Sequence, residues 1–305
     1  MIRKLVCSLF LLANTCLATE LVVPYGAGGA ADQFGRAAAQ YYEKTSRQNI
    51  IVTNRAGAGG TLGTNHVLRN HKDGSGLIVA NAGSFVFNKV FQKEQPYDHS
   101  EFEVVGPFAG SPAILSVGDT KITDLQQFVT SVKSKKNYTC GSSSQTGAML
   151  GRIMLKQLKL DSVEIVVYKG AGEVVTALLG RHVDCSFDNM SSHMTLIQAG
   201  QINVIAVASE ATHPVVPKAK LFKDIVPDLT FSFWYGIGIP KSVDSTMRKT
   251  LLSRFRNMDQ DNNFQRLMRL AGQDTFVPQA DATAWIEQQY RKFDGMRAEI
   301  GIEKQ

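Results

Sequence analysis

Three short segments rich in glycine or serine carry the residues best suited to bind a small molecule. Residues 24–32 read PYGAGGAAD, residues 54–61 read NRAGAGGT and residues 141–147 read GSSSQTG. Each segment follows an apolar run and precedes a helical pattern, so each is predicted to join a strand to a helix. Small side chains leave the backbone N–H groups of such a turn open, at the positive end of the helix dipole. These loops therefore favour the binding of an anionic group, a carboxylate or a phosphate.

The first loop also matches a dinucleotide-binding pattern, an interpretation that we reject. Gly26, Gly28 and Ala31 satisfy the spacing G-x-G-x-x-A,. The full fingerprint needs an acidic residue at the end of the second strand, where Asn54 stands instead,. A tight turn without a ligand is the other interpretation, and it stays open for the second loop.

Catalytic and metal-binding arrangements find little support in the sequence. Residues 142–144 with His182 or His193 and Asp188 contain the groups of a serine hydrolase, but the chain has no G-x-S-x-G nucleophile elbow,. His66 and His71 are five residues apart, a spacing that does not align them on one helix face,. We therefore predict no catalytic residues, no metal site and no cofactor.

Alternating strands and helices must position these loops. Apolar runs and amphipathic stretches alternate through the chain, which is the pattern of an α/β protein whose sheet is covered on both faces. Two such series, with helices left over at the end, predict two lobes, each with a parallel-rich sheet. Strands are predicted at residues 21–24, 50–52, 77–80, 102–108, 113–117, 138–140, 164–168, 183–187, 202–208 and 231–239.

The order of the two series predicts that the chain enters a second lobe and then returns to the first. Lobe 1 is predicted to comprise residues 19–117 and 230–305, and lobe 2 residues 118–229. The two crossings, near residues 113–117 and 230–235, would act as the hinge.

Residues 1–18 are predicted to be a secretory signal peptide. Arg3 and Lys4 precede an apolar run at residues 5–12, and Ala18 supplies a small residue before the predicted cut,. The run is too short to span a bilayer, and no later apolar stretch approaches the roughly 20 residues that spanning requires. We predict a soluble periplasmic protein. Lipid attachment at Cys16 is the alternative, disfavoured by the residues before it.

The charge distribution argues against a nucleic-acid partner, and the cysteine content allows at most one disulfide beyond the signal peptide. The formal net charge of +6 includes Arg3 and Lys4, and the remaining basic residues are scattered, so a nucleic-acid partner is not predicted,. Beyond the signal peptide the chain keeps two cysteines, Cys140 and Cys185. A bridge between neighbouring parallel strands is geometrically demanding, so we expect two buried free thiols, with the disulfide as the alternative.

Several ordered motifs together resemble the periplasmic receptors of tripartite tricarboxylate transporters, the Bug family. The resemblance extends over nearly the whole chain after residue 18. Its motifs are PYGAGGAAD at 24–32, NRAGAGGTLG at 54–63, DG at 73–74, VYKGA at 167–171, LGRHVD at 179–184 and FD at 187–188.

This resemblance implies a monomeric, two-lobed, flytrap-like protein that captures a small organic carboxylate without catalysis and delivers it to integral membrane transporter subunits. The same fold serving a signalling system as a ligand sensor is the alternative, and a periplasmic hydrolase is the weaker one. The resemblance implies ligand contacts in lobe 1 at Tyr25, Gly28, Gly29, Ala30, Asp32, Gly83 and Ser84, and in lobe 2 at Ser142, Ser143, Ser144, Gln145, Thr146, Tyr168, Gly170, Ala171 and Asp188.

The residue types suggest different roles for these contacts. Gly28 and Gly29 would offer N–H donors to a carboxylate. Asp32 would not touch an anionic group, since like charges repel. It would instead accept a hydrogen bond from a ligand amine or hydroxyl, or cap its own helix. The hydroxyls and the amide of the 141–147 loop suggest side-chain hydrogen bonds to the ligand.

Overall fold

A computed structural model describes residues 19–304, and the predicted signal peptide lies outside these described residues. The strands are β1 Thr19–Val23, β2 Ile50–Asn54, β3 Gly76–Asn81, β4 Phe102–Val117, β5 Thr139–Ser142, β6 Glu164–Val167, β7 Cys185–Asn189, β8 Asn203–Val207, β9 Lys220–Leu221, β10 Ser232–Pro240 and β11 Asp274–Thr275. The α-helices are α1 Ala30–Ser46, α2 Thr61–Asn70, α3 Asn88–Phe91, α4 Leu125–Ser134, α5 Gln145–Gln157, α6 Ala171–Leu179, α7 Met190–Gln198, α8 Ser245–Ser253, α9 Asn262–Leu270 and α10 Ala282–Glu299. Among these helices, none is both long and apolar enough to cross a membrane.

Two strands, β4 and β10, run antiparallel to their neighbours and join two sets of parallel strands. The strand order is β2-β1-β3-β10-β4-β7-β5-β6. The first sheet part contains β1, β2, β3, β10, β11 and residues 102–112 of β4. The second sheet part contains residues 113–117 of β4 with β5 to β9. The sheet is therefore parallel-rich but mixed.

The prediction of two separate strands at 102–108 and 113–117 is wrong, because β4 is continuous. The small and polar residues between them, Ala109 to Pro112, pair with Tyr235 to Ser232 of β10. Main-chain pairing continues through a segment whose side chains lack the apolar pattern of a strand. Between Pro112 and Ala113 the partner of β4 changes from β10 to β7.

Alternate residues of the central strands pack into two different cores. Leu21 and Val23 of β1 belong to a core that contains Phe34 of α1, whereas Val22 belongs to a core that contains Phe85. Successive side chains of a strand point to opposite faces, so β1 is buried on both. Burial on both faces explains the unbroken apolar runs in the sequence and leaves the strand ends as the places where polar groups gather.

The expectation of two free thiols is wrong, because Cys140 and Cys185 form a disulfide in the structure. The two residues are directly opposite each other in the parallel strands β5 and β7, with their Cα atoms 4.4 Å apart. Such a separation lies within the range that a disulfide can bridge, at its short end. The sequence placed both cysteines in neighbouring strands but did not fix the register that brings them together.

Gly63 is required by close packing, and its replacement gives a test of the β1–α2 contact. A Cβ atom at residue 63 would lie 2.7 Å from the carbonyl oxygen of Arg55 and 2.9 Å from the Cα atom of Pro24. We expect Gly63→Ala to lower the free energy of unfolding by about 1–3 kcal/mol through overpacking, as measured by urea denaturation. Gly295→Ala in α10, where a Cβ meets nothing within 4 Å, should raise it by about 0.5–1 kcal/mol,. Equal effects of the two substitutions would contradict this interpretation.

Candidate ligand-binding site

A cavity of about 370 Å³ lies between the loops of the first and second sheet parts. The loops that follow β1, β3, β5, β6 and β7 contribute to it, together with β10. In open α/β sheets these carboxyl ends of parallel strands are where ligands bind. The residues that line it are Tyr25, Gly26, Ala27, Gly29, Ala30, Ala31, Asn81, Ala82, Gly83, Ser143, Ser144, Thr146, Lys169, Gly170, Ala171, Asp188, Asn189, Ser192, Phe233, Trp234 and Tyr235.

Most of the residues predicted as contacts come together around this cavity. Ten of them line it, four from predicted lobe 1 and six from predicted lobe 2. Gln145 instead lines a neighbouring cavity that also borders residues 56–60 of the second glycine loop. The five that line neither cavity are Gly28, Asp32, Ser84, Ser142 and Tyr168.

The first-loop prediction needs one correction, because the N–H of Gly28 is not free for a ligand. It donates to Asp32 Oδ2 at 2.9 Å, and Asn54 Nδ2 donates to Asp32 Oδ1 at 2.9 Å. Arg36 completes the group with an ion pair of 2.9 Å to Asp32 Oδ2. Asp32 therefore stabilises the conformation of the loop through these hydrogen bonds, and it does not line the cavity. Of the two predicted glycine donors, only Gly29 lines the cavity.

The buried carboxylate of Asp32 should make stability depend on pH. Burial raises the pKa of Asp32, but the hydrogen bonds from Arg36, Gly28 and Asn54 outweigh it and hold this pKa below its usual value,. A depressed pKa stabilises the fold above the unfolded pKa of about 3.9, and the contribution is lost as pH falls through the folded pKa.

We expect the unfolding free energy of Asp32→Asn to lie below that of the unaltered protein near neutral pH, with the gap narrowing below about pH 4. Urea denaturation at a series of pH values measures this gap. Asp161→Asn, which removes an exposed charge, is the control and should leave a small gap throughout. A gap for Asp32→Asn that stays constant with pH would contradict the role given to the carboxylate.

The helices α1 and α6 begin at the cavity without a side-chain cap. Their N-cap residues are Gly29 and Gly170, and neither makes a side-chain hydrogen bond. The first N–H groups of an α-helix have no partner within the helix. In α2, which also begins at a glycine, a preceding 3-10 turn supplies acceptors for Gly60 and Thr61. By contrast, α4, α5, α7, α8, α9 and α10 are capped by the side chains of Asp124, Ser144, Asn189, Asp244, Asp261 and Asp281.

Because α1 and α6 lack side-chain caps, unpaired backbone N–H groups from both sheet parts lie at the same cavity. Ala30 and Ala31 of α1 line it on one side, and Gly170 and Ala171 of α6 on the other. Backbone N–H groups and the helix dipole both favour a negative charge at such a position. Lys169 also lines the cavity, is exposed, and forms no salt bridge with any residue that the structure describes. The two helix N-termini and Lys169 therefore favour the binding of an anion on both sides of the cavity.

Asp188 organises the serine loop. Its side chain is 1% exposed. Asp188 Oδ2 accepts from the N–H of Ser143 at 2.9 Å, and Oδ1 accepts from the hydroxyl of Ser143 at 2.7 Å and from the N–H of Asn189 at 2.7 Å. Burial first, and the negative charge of Asp188 second, raise the pKa of Tyr235 well above its ordinary range. Asp188 thus fixes the serine loop through Ser143, and the neighbouring Tyr235 remains a neutral phenol.

Tyr25, Asn81 and Ser84 form a hydrogen-bonded group, of which Tyr25 and Asn81 line the cavity. Tyr25 Oη donates to Asn81 Oδ1 at 2.9 Å, and Asn81 Nδ2 donates to Ser84 Oγ at 2.9 Å. A Cβ atom at Gly83 would collide with Tyr25 Oη, which accounts for the glycine. Burial, with smaller effects of Tyr235 and Tyr97, raises the pKa of Tyr25 far above its ordinary range, so the phenol is a neutral donor. Ser84 supports Asn81 from within the protein.

The family comparison agrees with this geometry. A family model described as tripartite tricarboxylate transporter family receptor matches residues 34–302. The chain belongs to this receptor family. A UPF0065 protein of Agrobacterium vitis is 28% identical to the receptor over 236 residues, which cover 76% of this chain and 68% of that protein.

Solved structures place the receptor in the two-lobed periplasmic binding protein fold. The periplasmic binding protein BugD is 24% identical, with a TM-score of 0.81 over 94% of this chain and 99% of that chain. An R. palustris protein solved with adipate is 20% identical, with a TM-score of 0.84 over 94% of this chain and 98% of that chain. The predicted family and α/β flytrap fold are confirmed.

Several cavity-lining residues of the receptor were missed by the sequence predictions. Asn81 ends β3 and Asn189 ends β7, and a polar residue closing a buried strand is a signal that could have found both,. Lys169 lies between two predicted contacts. The others are Gly26, Ala27, Ala31, Ala82, Ser192, Phe233, Trp234 and Tyr235, and those on β10 could be found only from its antiparallel position beside β3.

The groups of a serine hydrolase are not assembled in this receptor. Ser143 pairs with Asp188, while the ring of His193 contacts Ser186 Oγ at 3.1 Å and the carbonyl oxygen of Asn189 at 3.3 Å. Within residues 19–304, none of the serines of the 141–147 loop forms a hydrogen bond with a histidine. A hydroxyl without a neighbouring base is a weak nucleophile.

Proposed function

We propose that this receptor binds a small organic carboxylate in the 370 Å³ cavity, in the periplasm, and presents it to integral membrane subunits of a transporter. The observation that carries the proposal is the pair of uncapped helices, α1 and α6, whose first residues line the same cavity from opposite sides. The volume lies within the range of about 300–1,000 Å³ typical of small-molecule sites.

The lining chemistry favours a carboxylate over a neutral solute. Open N–H groups at Ala30, Ala31 and Ala171 and the ammonium of Lys169 offer donors, and the hydroxyls of Ser144 and Thr146 can serve either polarity,. The N-termini of α1 and α6 lie on opposite sides of the cavity. A molecule with two acidic groups, or with an acidic and a polar end, would therefore bind one helix with each end. The adipate held by the structurally similar R. palustris protein is a ligand of this type.

We further propose that residues 19–117 and 230–305 move as one lobe and residues 118–229 as the other. Support comes from β4, which exchanges β10 for β7 after Pro112. Ala113 N donates to the carbonyl oxygen of Phe231 at 3.2 Å, and Phe231 N donates to that of Ala208 at 2.9 Å. A ligand touching α1 and α6 would favour the closed arrangement by its higher affinity for it. Small-angle scattering should show compaction when ligand is added, and superimposable curves would contradict closure.

Delivery to a transporter is favoured by the family, whereas use as a ligand sensor would rest on the same site. A non-catalytic role is supported by the separation of the serines from His193. A receptor of this kind, acting as a monomer, returns its ligand chemically unchanged. Conversion of a bound acid during incubation, seen by mass spectrometry, would contradict the proposal.

A thermal-melt screen against mono-, di- and tricarboxylates tests the ligand class. A ligand at a hundred times its Kd adds about 2.7 kcal/mol of stability, which shifts the melt by several degrees. The matched control is the amide of each active acid, which keeps shape and loses charge. Stabilisation by acids alone is the expected result. Equal stabilisation by amides, or stabilisation by neutral solutes only, would overturn the carboxylate assignment.

A further inference from the structure

Glu20, His66 and His71 form a cluster at the opposite end of β1 from the cleft loop. Glu20 lies near the start of β1, His66 in α2 and His71 immediately after the last residue of α2. The backbone at His71 has left the helix, with φ of −119° and ψ of 46°. The five-residue spacing therefore does not keep the two rings apart, and their centroids are 5.3 Å from each other.

The three side chains meet at distances that suit a shared cation. One ligand atom from each lies within 4.8 Å of the other two. His71 Nε2 is 2.9 Å from Glu20 Oε2. Two ligand atoms on a tetrahedral Zn²⁺ are about 3.3 Å apart, given Zn–N and Zn–O bonds of about 2.0–2.1 Å. Small side-chain adjustments thus convert the observed arrangement into a coordination shell.

The hydrogen bond between His71 Nδ1 and Ser75 leaves His71 Nε2 available to a metal ion. Ser75 Oγ donates to Asp73 Oδ1 at 2.6 Å, so its oxygen is left to accept from His71 Nδ1 at 2.9 Å. A neutral His71 then carries its proton on Nδ1, which leaves the lone pair on Nε2. This atom is buried, lies 2.9 Å from Glu20 Oε2 and makes no hydrogen bond with any residue that the structure describes. A buried ring nitrogen that lacks a hydrogen-bond partner and lies beside a carboxylate oxygen is suited to share a cation with that oxygen. Donation by the outer ring nitrogen to a fixed acceptor is also the arrangement found around metal-binding histidines.

The other oxygen of Glu20 is already engaged, which leaves Oε2 as the ligand atom. Thr53 donates its hydroxyl to Glu20 Oε1, and the exposed Arg55 lies 3.8 Å from the same oxygen. Asn70 Nδ2 lies 2.9 Å from His66 Nδ1 and 3.0 Å from the His66 carbonyl oxygen, so it donates to the ring and the proton of a neutral His66 is on Nε2. Metal binding at His66 Nε2 therefore requires this proton to move to Nδ1 and the Asn70 amide to turn so that its oxygen accepts it. The side chain of Glu20 is 19% exposed and that of His71 is 14% exposed, so an ion can reach the cluster from solvent.

We propose that Glu20, His66 and His71 bind a divalent transition-metal ion, with water in the remaining position. Two imidazoles and a carboxylate suit Zn²⁺ and its neighbours, whereas Mg²⁺ and Ca²⁺ prefer oxygen ligands alone. A bound ion would join the start of β1 to the end of α2 and stabilise this edge of the first sheet part. The proposal is independent of the ligand carried in the cleft.

Zn²⁺ titration of the protein, without a histidine tag and after treatment with a chelator, tests the site by calorimetry. We expect one Zn²⁺ per chain, a higher melting temperature with Zn²⁺, and at least tenfold weaker binding for Glu20→Gln, His66→Gln and His71→Gln. Ser75→Ala, which removes the acceptor of His71 Nδ1 and leaves all three ligands in place, should weaken binding by about 10- to 100-fold,. His182→Gln, at an exposed histidine outside the cluster, is the matched control and should bind as the unaltered protein does.

Two outcomes would overturn the proposal. Absence of stoichiometric Zn²⁺ binding would show that Glu20, His66 and His71 do not form a metal site. Zn²⁺ binding that survives all three ligand substitutions would place the ion elsewhere on the surface. Circular dichroism of each variant and its melt response to an acid that stabilises the unaltered protein separate loss of the site from loss of the fold.

Discussion

Replacing Ala171 by proline is expected to weaken carboxylate binding roughly 10- to 150-fold, which corresponds to the loss of about 1.5–3 kcal/mol for one hydrogen bond to a charged group. Ala171 is the first residue of α6, where proline is well tolerated because the N–H has no partner within the helix,. Gly170 before it is extended, with φ of −172° and ψ of 165°, a conformation compatible with a following proline,. The substitution removes a donor that faces the cavity and leaves the helix intact.

The same reasoning applies to Ala30 at the start of α1, where Gly29 is also extended. Ala30→Pro should weaken binding to a similar degree, and the double variant should weaken it further. Ser245→Pro, at the first position of α8, is the matched control and should leave affinity unchanged,. Calorimetry gives the affinities, and melts of the free proteins confirm that each variant folds. Unchanged affinity in both Ala30→Pro and Ala171→Pro would contradict the role of the helix ends.

Removal of the Cys140–Cys185 disulfide is the second large effect that we expect. The bridge closes a loop between residues separated by 45 positions. In the chain-entropy account, a loop of this length restricts the unfolded chain by the equivalent of about 4 kcal/mol. Cys140→Ala with Cys185→Ala should therefore lower the unfolding free energy by an amount of that order. The bridge ties β5 to β7, and Ser143 after β5 and Asp188 near the end of β7 both line the cavity.

Urea denaturation of the double variant measures this loss, and the reduced unaltered protein should give a similar value. Mass spectrometry after alkylation provides the control for connectivity. Without reductant, neither Cys140 nor Cys185 should be labelled, whereas both should be labelled after reduction and unfolding. Full labelling of the unfolded protein without reductant would show that the thiols are free and would remove the basis of the prediction.

The strand positions were largely predictable, because buried strands appear in the sequence as short apolar runs bounded by turn residues. The alternation of β1, α1 and β2 and the later β5 to β8 series were found to within a few residues. The antiparallel course of β4 and β10 was not predictable from periodicity, since an apolar run has the same appearance in either direction. The cavity-lining residues of β10 depend on that course. The disulfide depends instead on the register between the parallel strands β5 and β7, which an apolar run does not specify.

The candidate site shows a similar division. The loops were found because glycine, serine and alanine after a strand have a local structural meaning. The role of Asp32 was not, because its partners Asn54 and Arg36 come from a neighbouring strand end and from the next turn of its helix. The cluster at Glu20 was hidden for the same reason, since His71 joins His66 only through a backbone turn at the end of α2.

The most direct test of the account is a crystal structure of the receptor with an acid found in the melt screen. We predict that a carboxylate oxygen lies within about 2.7–3.2 Å of a first-turn backbone nitrogen of α1 or α6, and that the ligand contacts both helices. A ligand bound in this cavity through side chains alone, or an acid bound in another cavity, would contradict the central claim.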